Sequence, residues 1–477
     1  MEMSDQWDVV VIGAGGAGLS AAIHAAYGGA RVIVFESERR IGGSTALSGG
    51  VFYAAGTSVQ AALGLEDSPE RFYQHYMDLN QWSLQPGLIR RYCTESAATF
   101  EWLLTLGHEV PPHLSTNSHQ PGIRRVETES PRRGHIPAGE GYGLARMLDA
   151  ERKRLGVEVV LNTRIERILV ADGRVTGVLA DGIEVTADSV VVASGGMARN
   201  PELLERFFPA ALRPGDELFV VAADGSRGDH IAFAEQTNSS IVGTGWGVLI
   251  IGAYFQQYHH WEAGFPPVAR VLVDPDGRRF MDEDAPYTAA WTLFERIGGS
   301  AWMIFDEAGR RALQPGYPAW SPDRILAEVE AGRTFAADDL AGLAAQLDLP
   351  AQALEATVKR WNDTVPTGTD PDFLRHESLE DHGYGTPDPI AEPPFYAVRT
   401  LPNQLVLTHP GIEIDEWARA VDRYGRVIPG LYAAGEAGGG VLGPHYVGAT
   451  SIGNALTMGR QAGRHAAATV ARSARTS

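Results

Sequence analysis

The first hydrophobic run of the chain is short and is followed by a helical pattern and then by a second run. Residues 8–12 are mostly β-branched, as in a buried parallel strand. An alanine-rich stretch that begins among glycines and continues to Tyr27 predicts a helix, and residues 31–35 predict another buried strand. The chain therefore opens with a predicted strand–helix–strand unit, which is typical of a parallel sheet.

Regular patterns continue as far as residue 196. Residues 68–110 have a mostly helical pattern, with Ser68 and Pro69 as a helix start, and residues 144–155 predict another helix. Alternation of apolar and polar positions, interrupted by Asp-Gly turns, predicts a small sheet. Its strands are expected over residues 157–161, 164–170, 175–180 and 183–186. A separate buried strand is predicted over residues 189–193.

The pattern changes after residue 245. Residues 246–400 carry aromatic residues, prolines and amphipathic helices, with residues 363–395 as a long irregular segment. Strand and turn signals return after residue 400, and residues 452–470 predict a final helix. We predict an α/β fold in which a Rossmann-like nucleotide-binding domain (residues 1–245 and 401–477) is interrupted by an inserted α+β capping domain (residues 246–400). The ligands are expected between the two domains.

Composition and charge exclude several classes of protein. Of the 477 residues, 44% are hydrophobic and 21% are charged, which is ordinary for a globular protein. The formal net charge of −19 makes binding to nucleic acid or to an anionic membrane unfavourable. A single cysteine, Cys93, excludes a disulfide framework and a cysteine-ligated iron–sulfur cluster. The acidic start and the lack of a long apolar stretch predict a cytoplasmic protein without a transmembrane segment.

A glycine-rich turn directly follows the first predicted strand. Gly13, Gly15 and Gly18 form a GxGxxG pattern, and Glu36 stands 18 residues after the last of them. The first glycine makes the turn, the second lets the backbone approach a pyrophosphate, and the third permits close packing of helix and strand. Backbone N–H groups at the helix start, from Gly16 onward, attract phosphate. A carboxylate at position 36 can accept hydrogen bonds from the hydroxyls of an adenosine ribose.

Short segments rich in glycine and hydroxyl side chains recur along the whole chain. Their candidate cofactor-binding residues are Gly42, Gly43, Ser44, Thr45, Ser48, Gly49, Gly50, Ala193, Ser194, Gly195, Asp229, Gly435, Glu436, Ser451 and Ile452. Together with the glycine turn, these segments resemble the flavoproteins of the fumarate reductase and succinate dehydrogenase superfamily. The resemblance implies FAD, with the Gly435–Glu436 turn at the ribityl chain and the helix start near Ser451 at the flavin pyrimidine. No histidine lies near Ser44, so we expect noncovalent FAD.

Two tyrosines stand where fumarate-processing members of this superfamily have arginines. The segment 277–288 has Tyr287 at the place of the arginine that acts as acid, and the segment 443–451 has Tyr446 at the place of the arginine that binds carboxylate. Phenols cannot replace the guanidinium fork. A tyrosine pair at these positions resembles the 3-ketosteroid dehydrogenases. That resemblance implies that Tyr287 is the base and that the Tyr446 hydroxyl and the Gly448 N–H donate to the substrate carbonyl.

The resemblance thus predicts an FAD-dependent ketone desaturase. It would oxidise a cyclic ketone, either a 3-ketosteroid or a smaller ring such as 4-oxocyclohexanecarboxylate, by removing an α-proton and passing a β-hydride to flavin N5. Candidate helpers for the proton of Tyr287 are Tyr53, Tyr254 and His409. Without a second dinucleotide motif or a haem motif, the electrons would leave through a diffusible acceptor such as a quinone or O2. No metal is expected.

Two other functions stay open at this point. One is a fumarate reductase-like reductase of C=C bonds, or a dehydrogenase of polycarboxylic acids, which arginines in the cleft would favour. The other is a non-catalytic flavin electron-transfer component, which bleaching of FAD by an added ketone would exclude. Arg132 and Arg133 are expected to be solvated, with a carboxylate anchor as the alternative.

Overall fold

The computed structural model describes residues 6–111, 114–115, 122–124, 131–285, 287–381 and 385–476. By its internal contacts the chain divides into two compact units. The first unit comprises Met1–Ala210, Val221–Gly247 and Val406–Ser477, and the second unit comprises Ala211–Val220 and Val248–Leu405. Both units combine helices with strands, which confirms the predicted α/β class.

Helices and strands alternate irregularly along the chain. Up to residue 207 they are β1 (Trp7–Ile12), α1 (Gly16–Tyr27), β2 (Val32–Phe35), β3 (Phe52–Tyr53), α2 (Ser58–Ala62), α3 (Pro69–Leu79), α4 (Pro86–Thr105), β4 (Leu114–Ser115), β5 (Gly122–Arg124), β6 (Gly134–Ile136), α5 (Glu140–Arg154), β7 (Glu158–Val160), β8 (Ile165–Ala171), β9 (Arg174–Ala180), β10 (Ile183–Val192) and α6 (Pro201–Phe207). Next come β11 (Phe219–Val220), α7 (Asp229–Thr237), β12 (Ile241–Val242), β13 (Gly247–Ala253), α8 (His260–Ala263), β14 (Val271–Val273), α9 (Tyr287–Arg296), β15 (Ala301–Phe305), α10 (Glu307–Ala312), α11 (Pro322–Glu330), β16 (Phe335–Ala337), α12 (Leu340–Leu347), α13 (Ala351–Thr364), α14 (Arg375–Asp381) and β17 (Phe395–Thr408). The last are β18 (Gly411–Glu413), β19 (Arg419–Val421), β20 (Val427–Ala433), β21 (Gly438–Gly439) and α15 (Thr450–Thr476).

A mainly parallel sheet forms the centre of the first unit. Its strand order is β19-β20-β10-β1-β2-β7, and β1 pairs in parallel with both β10 and β2. Val9 lies opposite Ser189 on one side and Val32 on the other. Helices α1 and α15 pack against strands of this sheet, so the β-branched runs are buried as the sequence predicts. The predicted strand–helix–strand unit at the start of the chain is therefore confirmed.

Two details of the predicted small sheet are wrong. Residues 158–160 form β7, which pairs in parallel with β2 in the main sheet. The segments expected as two strands, 183–186 and 189–193, form the single strand β10. Its first half pairs antiparallel with β9 and its second half pairs in parallel with β1. Because only the second half is buried on both faces, the hydrophobic pattern changes within one strand and suggests a break.

Predicted helices are confirmed where caps and apolar faces agree. The Ser68 hydroxyl accepts from the N–H of Arg71 at 3.2 Å and so begins α3 at Pro69. The segment expected to be irregular, residues 363–395, is helical in part, since it contains α14. Within the described ranges, no helix combines the length and the apolar character needed to cross a membrane.

Arg133 is buried, so the expectation that it is solvated is wrong. Its side chain is 2% exposed and makes a two-point ion pair with Asp67, with Nε–Oδ2 2.7 Å and Nη2–Oδ1 2.9 Å. The carboxylate lies 66 residues earlier in the chain. Local sequence therefore gives no sign of the pair.

A cluster of buried charges in the second unit joins the segment before α9 to the start of α14. The fully buried Arg375 donates to the carboxylate of Asp284 at 2.8 Å and to the carbonyl of Val268 at 3.0 Å. Arg279 makes a bidentate pair with Glu283, with both distances 2.8 Å. Burial of such charges is tolerable only because each has a partner. The cluster therefore ties the segment leading to α9 to the rest of its unit.

Helices α1 and α15 approach so closely that glycine is required between them. A Cβ atom built on Gly463 would lie 2.1 Å from the carbonyl oxygen of Ala21, and one on Gly459 would lie 2.3 Å from that of Ala17. Both distances are too short for any side chain. Glycine at these two positions of α15 therefore allows the two helices to pack closely.

We expect Gly463→Ala to lower the free energy of unfolding by about 1–3 kcal/mol, because the helices must separate to admit the methyl group. Gly143→Ala is the matched control, since a Cβ on this α5 residue meets no atom within 4 Å. That change should stabilise the protein by about 0.5–1 kcal/mol. Chemical denaturation of both variants measures the difference, and equal stabilisation by both would contradict the packing argument.

Candidate active site

The turn between β1 and α1 is built on backbone contacts that only glycine permits. Gly13 has a φ of +99°, and a Cβ on it would lie 2.4 Å from the carbonyl oxygen of Ala193. A Cβ on Gly18 would lie 1.9 Å from the carbonyl oxygen of Gly13. The N–H of Gly13 donates to the carbonyl of Phe35 at 2.7 Å. These contacts hold the start of α1 against the ends of β2 and β10.

Gly15 differs from its neighbours because the protein itself leaves space beside it. A Cβ there would meet only the carbonyl oxygen of Gly42, at 3.9 Å, and its φ of −77° suits any residue. The N–H of Gly16 donates to the Thr45 hydroxyl at 3.1 Å, and Gly42 donates to Ala14 at 2.9 Å. The short 3-10 helix Gly43–Leu47 thus lies beside the start of α1. Space next to a helix N-terminus fits the pyrophosphate of a dinucleotide.

Glu36 lies at the end of β2 with its carboxylate turned back to the glycine turn. Its Oε2 accepts from the N–H of Ala14 at 2.7 Å, and its Oε1 accepts from the N–H of Glu38 at 2.9 Å. Burial raises the pKa of Glu36, and these hydrogen bonds oppose the rise. The Ser37 hydroxyl also donates to Oε1, at 3.3 Å. A carboxylate offers about four acceptor positions, so one remains for a ribose hydroxyl.

The hydroxyl groups expected near the cofactor also organise their own loops. Ser44 accepts from the N–H of Ala223 at 3.0 Å. Ser48 donates to the carbonyl of Thr45 at 2.8 Å and accepts from Gly50 at 3.1 Å. Glycine is required at position 50, because its φ is +70° and a Cβ would lie 2.6 Å from the backbone of residue 140. Gly43, which precedes Ser44, also has a positive φ, and Gly49 lies between Ser48 and Gly50.

The turn after β10 touches the glycine turn. Ala193 donates to the carbonyl of Ile12 at 2.8 Å, and Gly195 has a φ of +76°. The Ser194 hydroxyl is buried and has no hydrogen-bond partner among the described residues. An unpartnered polar group on a turn that contacts Gly13 is a second feature that fits a bound cofactor.

Asp229, a predicted cofactor contact, begins α7 and pairs with Arg164 at 2.5 Å. Burial raises the pKa of Asp229, while the Arg164 guanidinium opposes the rise. Sequence reasoning missed Arg164, because the two residues are 65 positions apart and no motif links them.

The C-terminal turn brings Gly435 and Glu436 to α1 and to the turn after β10. Gly435 has a φ of +69°, and a Cβ on it would lie 2.8 Å from that of Ala17. The Glu436 carboxylate accepts from both the N–H and the hydroxyl of Thr408, each at 2.7 Å. Burial raises the pKa of Glu436 and the two bonds from Thr408 oppose it. A Cβ on Gly196 would lie 2.0 Å from this carboxylate, so glycine is needed there.

Tyr446 lies in the loop just before α15. Its hydroxyl oxygen accepts from the N–H of Ser451 at 3.1 Å, and the side chain is buried. Gly448 and Ile452 are also buried. The predicted carbonyl donors and the predicted flavin contacts of α15 are therefore neighbours. The helix N-terminus carries positive potential, which makes a phenol bound to it a stronger hydrogen-bond donor.

His409 lies beside Tyr446, with ring centroids 5.9 Å apart. Its Nδ1 is 3.1 Å from the carbonyl oxygen of Gly443 and must donate, so Nε2 is the acceptor in the neutral ring. Nε2 is buried without a partner among the described residues. Burial lowers the pKa of His409 to about 4, so the ring is neutral at pH 7.

The other candidates are Tyr254 and Tyr287 of the second unit and Tyr53 of the first. Tyr287 is the first residue of α9 in the second unit, and its side chain lies outside the described part of the structure. Tyr254, also in the second unit, donates to Glu328 at 2.9 Å, and burial raises its pKa to about 12. Tyr53 is buried in β3 of the first unit. Among the residues whose placement is described, no cluster of histidine, cysteine and carboxylate side chains is suited to a metal ion.

Comparison with known proteins identifies similar flavoproteins. The model of the FAD binding domain family matches residues 8–452. A fumarate reductase (cytochrome) from Shewanella frigidimarina is 30% identical, covering 97% of this chain and 77% of that protein. A 3-oxosteroid 1-dehydrogenase from Mycobacterium tuberculosis is 28% identical, covering 97% of this chain and 98% of that protein. The structure of 3-ketosteroid-delta4-(5alpha)-dehydrogenase from Rhodococcus jostii in complex with 4-androstene-3,17-dione has a TM-score of 0.79 and 28% identity, with 98% of each chain covered.

We expect Gly15→Ala and Gly18→Ala to separate cofactor binding from folding. The methyl group at position 15 meets no protein atom closer than 3.9 Å, so the stability of the apoprotein should stay within about 0.5 kcal/mol of the wild type. It occupies the space beside the helix start, so FAD affinity should fall about tenfold or more.

Gly18→Ala is the contrasting variant, and it should destabilise the apoprotein by about 2 kcal/mol or more. Isothermal titration with FAD and thermal unfolding of both apoproteins are the measurements. Unchanged FAD affinity in Gly15→Ala would remove Gly15 from the cofactor site.

The buried His409 predicts a specific acid sensitivity. A histidine whose pKa is about 4 when folded and about 6.5 when unfolded contributes stability above pH 6.5 that is lost as the pH falls toward 4. The full loss from this one group is about 3 kcal/mol. His409→Gln should therefore lose less unfolding free energy than the wild type between pH 6.5 and pH 4. Denaturant titrations at several pH values measure this, and parallel curves for the two proteins would refute the assignment.

Proposed function

We propose that this chain, which belongs to the FAD binding domain family of FAD-dependent oxidoreductases, dehydrogenates a cyclic ketone to its α,β-unsaturated ketone. The substrate class is a 3-ketosteroid or a smaller ring ketone. The observation that carries the proposal is the Tyr446 hydroxyl held at the N-terminus of α15, 3.1 Å from the N–H of Ser451. Coverage of 98% of the length of the 3-oxosteroid 1-dehydrogenase supports the same reaction class.

The chemistry requires loss of an α-proton and of a β-hydrogen with its electron pair. FAD, when bound, supplies the two-electron acceptor. The Tyr446 hydroxyl and the Gly448 N–H would donate to the ketone oxygen and stabilise the negative charge that develops there. Tyr287 would take the α-proton as its phenolate, and that proton passes on to solvent. Because a free tyrosine has a pKa of about 10, this base is weak at neutral pH and the rate should rise in alkali.

Residues around the first-unit site would hold the cofactor. The β1–α1 turn with Gly15 and Gly16 would bind the pyrophosphate, and Glu36 the adenosine ribose. Glu436 would support the turn toward the ribityl chain, since its carboxylate is fixed by two bonds from Thr408. The electrons would finally pass to a diffusible acceptor.

A second candidate function is reduction of unsaturated acids, favoured by the 30% identity with a fumarate reductase. It requires cations at the substrate carboxylates, whereas this chain has tyrosine at both positions where the resemblance places arginine. Anaerobic mixing of the FAD-loaded protein with a panel of 3-ketosteroids and monocyclic ketones decides between them. Bleaching of the flavin by a ketone supports the desaturase, and reoxidation of the reduced flavin by fumarate alone contradicts it.

We expect Tyr446→Phe to slow flavin reduction by the ketone about 100–1000-fold, the usual effect of losing one oxyanion donor. FAD should remain bound. Tyr432→Phe is the matched control, because this buried hydroxyl contacts His465 and Thr469 instead. Stopped-flow absorbance measures both variants. Near-normal reduction in Tyr446→Phe would remove this residue from the mechanism.

A further inference from the structure

A cavity of about 510 Å³ lies in the first unit beside the C-terminal end of α1, against α4 and α15. One side is aromatic. His24 contacts Trp102 with ring centroids 4.4 Å apart and Tyr27 with centroids 5.4 Å apart. The Tyr27 hydroxyl is held by Glu151 at 2.5 Å. Flat, apolar ring surfaces of this kind suit a planar ligand.

The other side of the cavity carries two arginines of α15, Arg460 and Arg464. Both face the same carboxylate, Glu95, at 3.1 and 3.8 Å. Arg91 also pairs with Glu95, at 3.3 Å. Three guanidinium groups thus share one carboxylate, which leaves local positive charge on a chain whose net charge is −19. The Nε of Arg460 is buried with no hydrogen-bond partner among the described residues.

This cavity is separate from the dinucleotide turn. Helix α1 runs for 12 residues from Gly16 to Tyr27, which spans about 18 Å at 1.5 Å per residue. Its first residue lies at the turn and its last lines the cavity. Between the aromatic and the cationic sides the wall is completed by Gly28, Ala467 and Ala468. None of these residues belongs to the proposed cofactor or ketone machinery.

We propose that this cavity binds a small aromatic carboxylate. The ring of the ligand would lie against Trp102 and Tyr27, where it loses contact with water. Its carboxylate would accept from Arg460 and Arg464, matching the planar guanidinium geometry. The volume is that of an ordinary small-molecule site. The burial of Arg460 lowers its pKa, with Arg464 contributing, and the negative charge of a bound anion would oppose this lowering.

The test is isothermal titration of the FAD-loaded protein with 2-naphthoate. We expect one binding site, and Arg464→Gln should weaken the affinity about tenfold or more, the effect of losing one charge-assisted hydrogen bond. Arg423→Gln is the control: it removes the same charge from an exposed residue that does not line the cavity. It should leave the affinity within about twofold. The neutral alcohol 2-naphthalenemethanol should bind the wild type more weakly than 2-naphthoate binds to Arg464→Gln, because it lacks the charge that both arginines recognise.

A blocking variant distinguishes this cavity from the ketone site. Ala468 is exposed on α15, so Ala468→Trp should fold, fill the cavity and abolish 2-naphthoate binding. It should leave FAD content and flavin reduction by a ketone unchanged. Equal affinity in the wild type, Arg464→Gln and Ala468→Trp would overturn the proposal. Loss of 2-naphthoate binding only on saturation with the ketone would also overturn it, since the ligand would then occupy the ketone site.

Discussion

The approach of backbone to backbone at the β1–α1 turn is the constraint on which the first unit depends. The carbonyl of Gly13 lies under Gly18, and Gly13 itself lies against the carbonyl of Ala193. Two strands and one helix therefore meet with no side chain between them. This arrangement directs the free N–H groups of α1 toward the space at Gly15. The close approach continues along α1, because Gly459 and Gly463 let the backbone of α15 contact the backbone of α1 directly.

What the sequence could predict follows from how local each interaction is. The β-branched run before the glycine turn and the cap at Ser68 act within a few residues, and both are found as predicted. Arg133 and Arg164 could not be placed, because their carboxylate partners lie more than sixty positions away. The sequence also did not show that β10 is one continuous strand. Its two halves pair with different strands and therefore have different hydrophobic patterns.

The start of α15 combines two roles that the sequence suggested separately. The N–H of Ser451 is a predicted flavin contact, and it is also the donor that holds the Tyr446 hydroxyl. Any charge that forms near this helix start is therefore felt by both groups. The neutral ring of His409, 5.9 Å away between centroids, adds an acceptor without adding a charge. The Ser451 N–H and the neutral His409 ring therefore place dipoles, and no net charge, beside the Tyr446 side chain.

The buried ion cluster beside α9 limits how the second unit can diverge over evolutionary time. The side chains of Arg375 and Glu283 have no access to water, and that of Asp284 has little. Loss of one member leaves an opposite charge buried without a partner, which costs about 3–5 kcal/mol of stability. Joint replacement of the pair by apolar residues of similar volume can be neutral. Gradual drift is therefore blocked at these positions. Descendants of this protein should either keep the whole set or exchange it in one concerted step, while the exposed helices of the same unit vary freely.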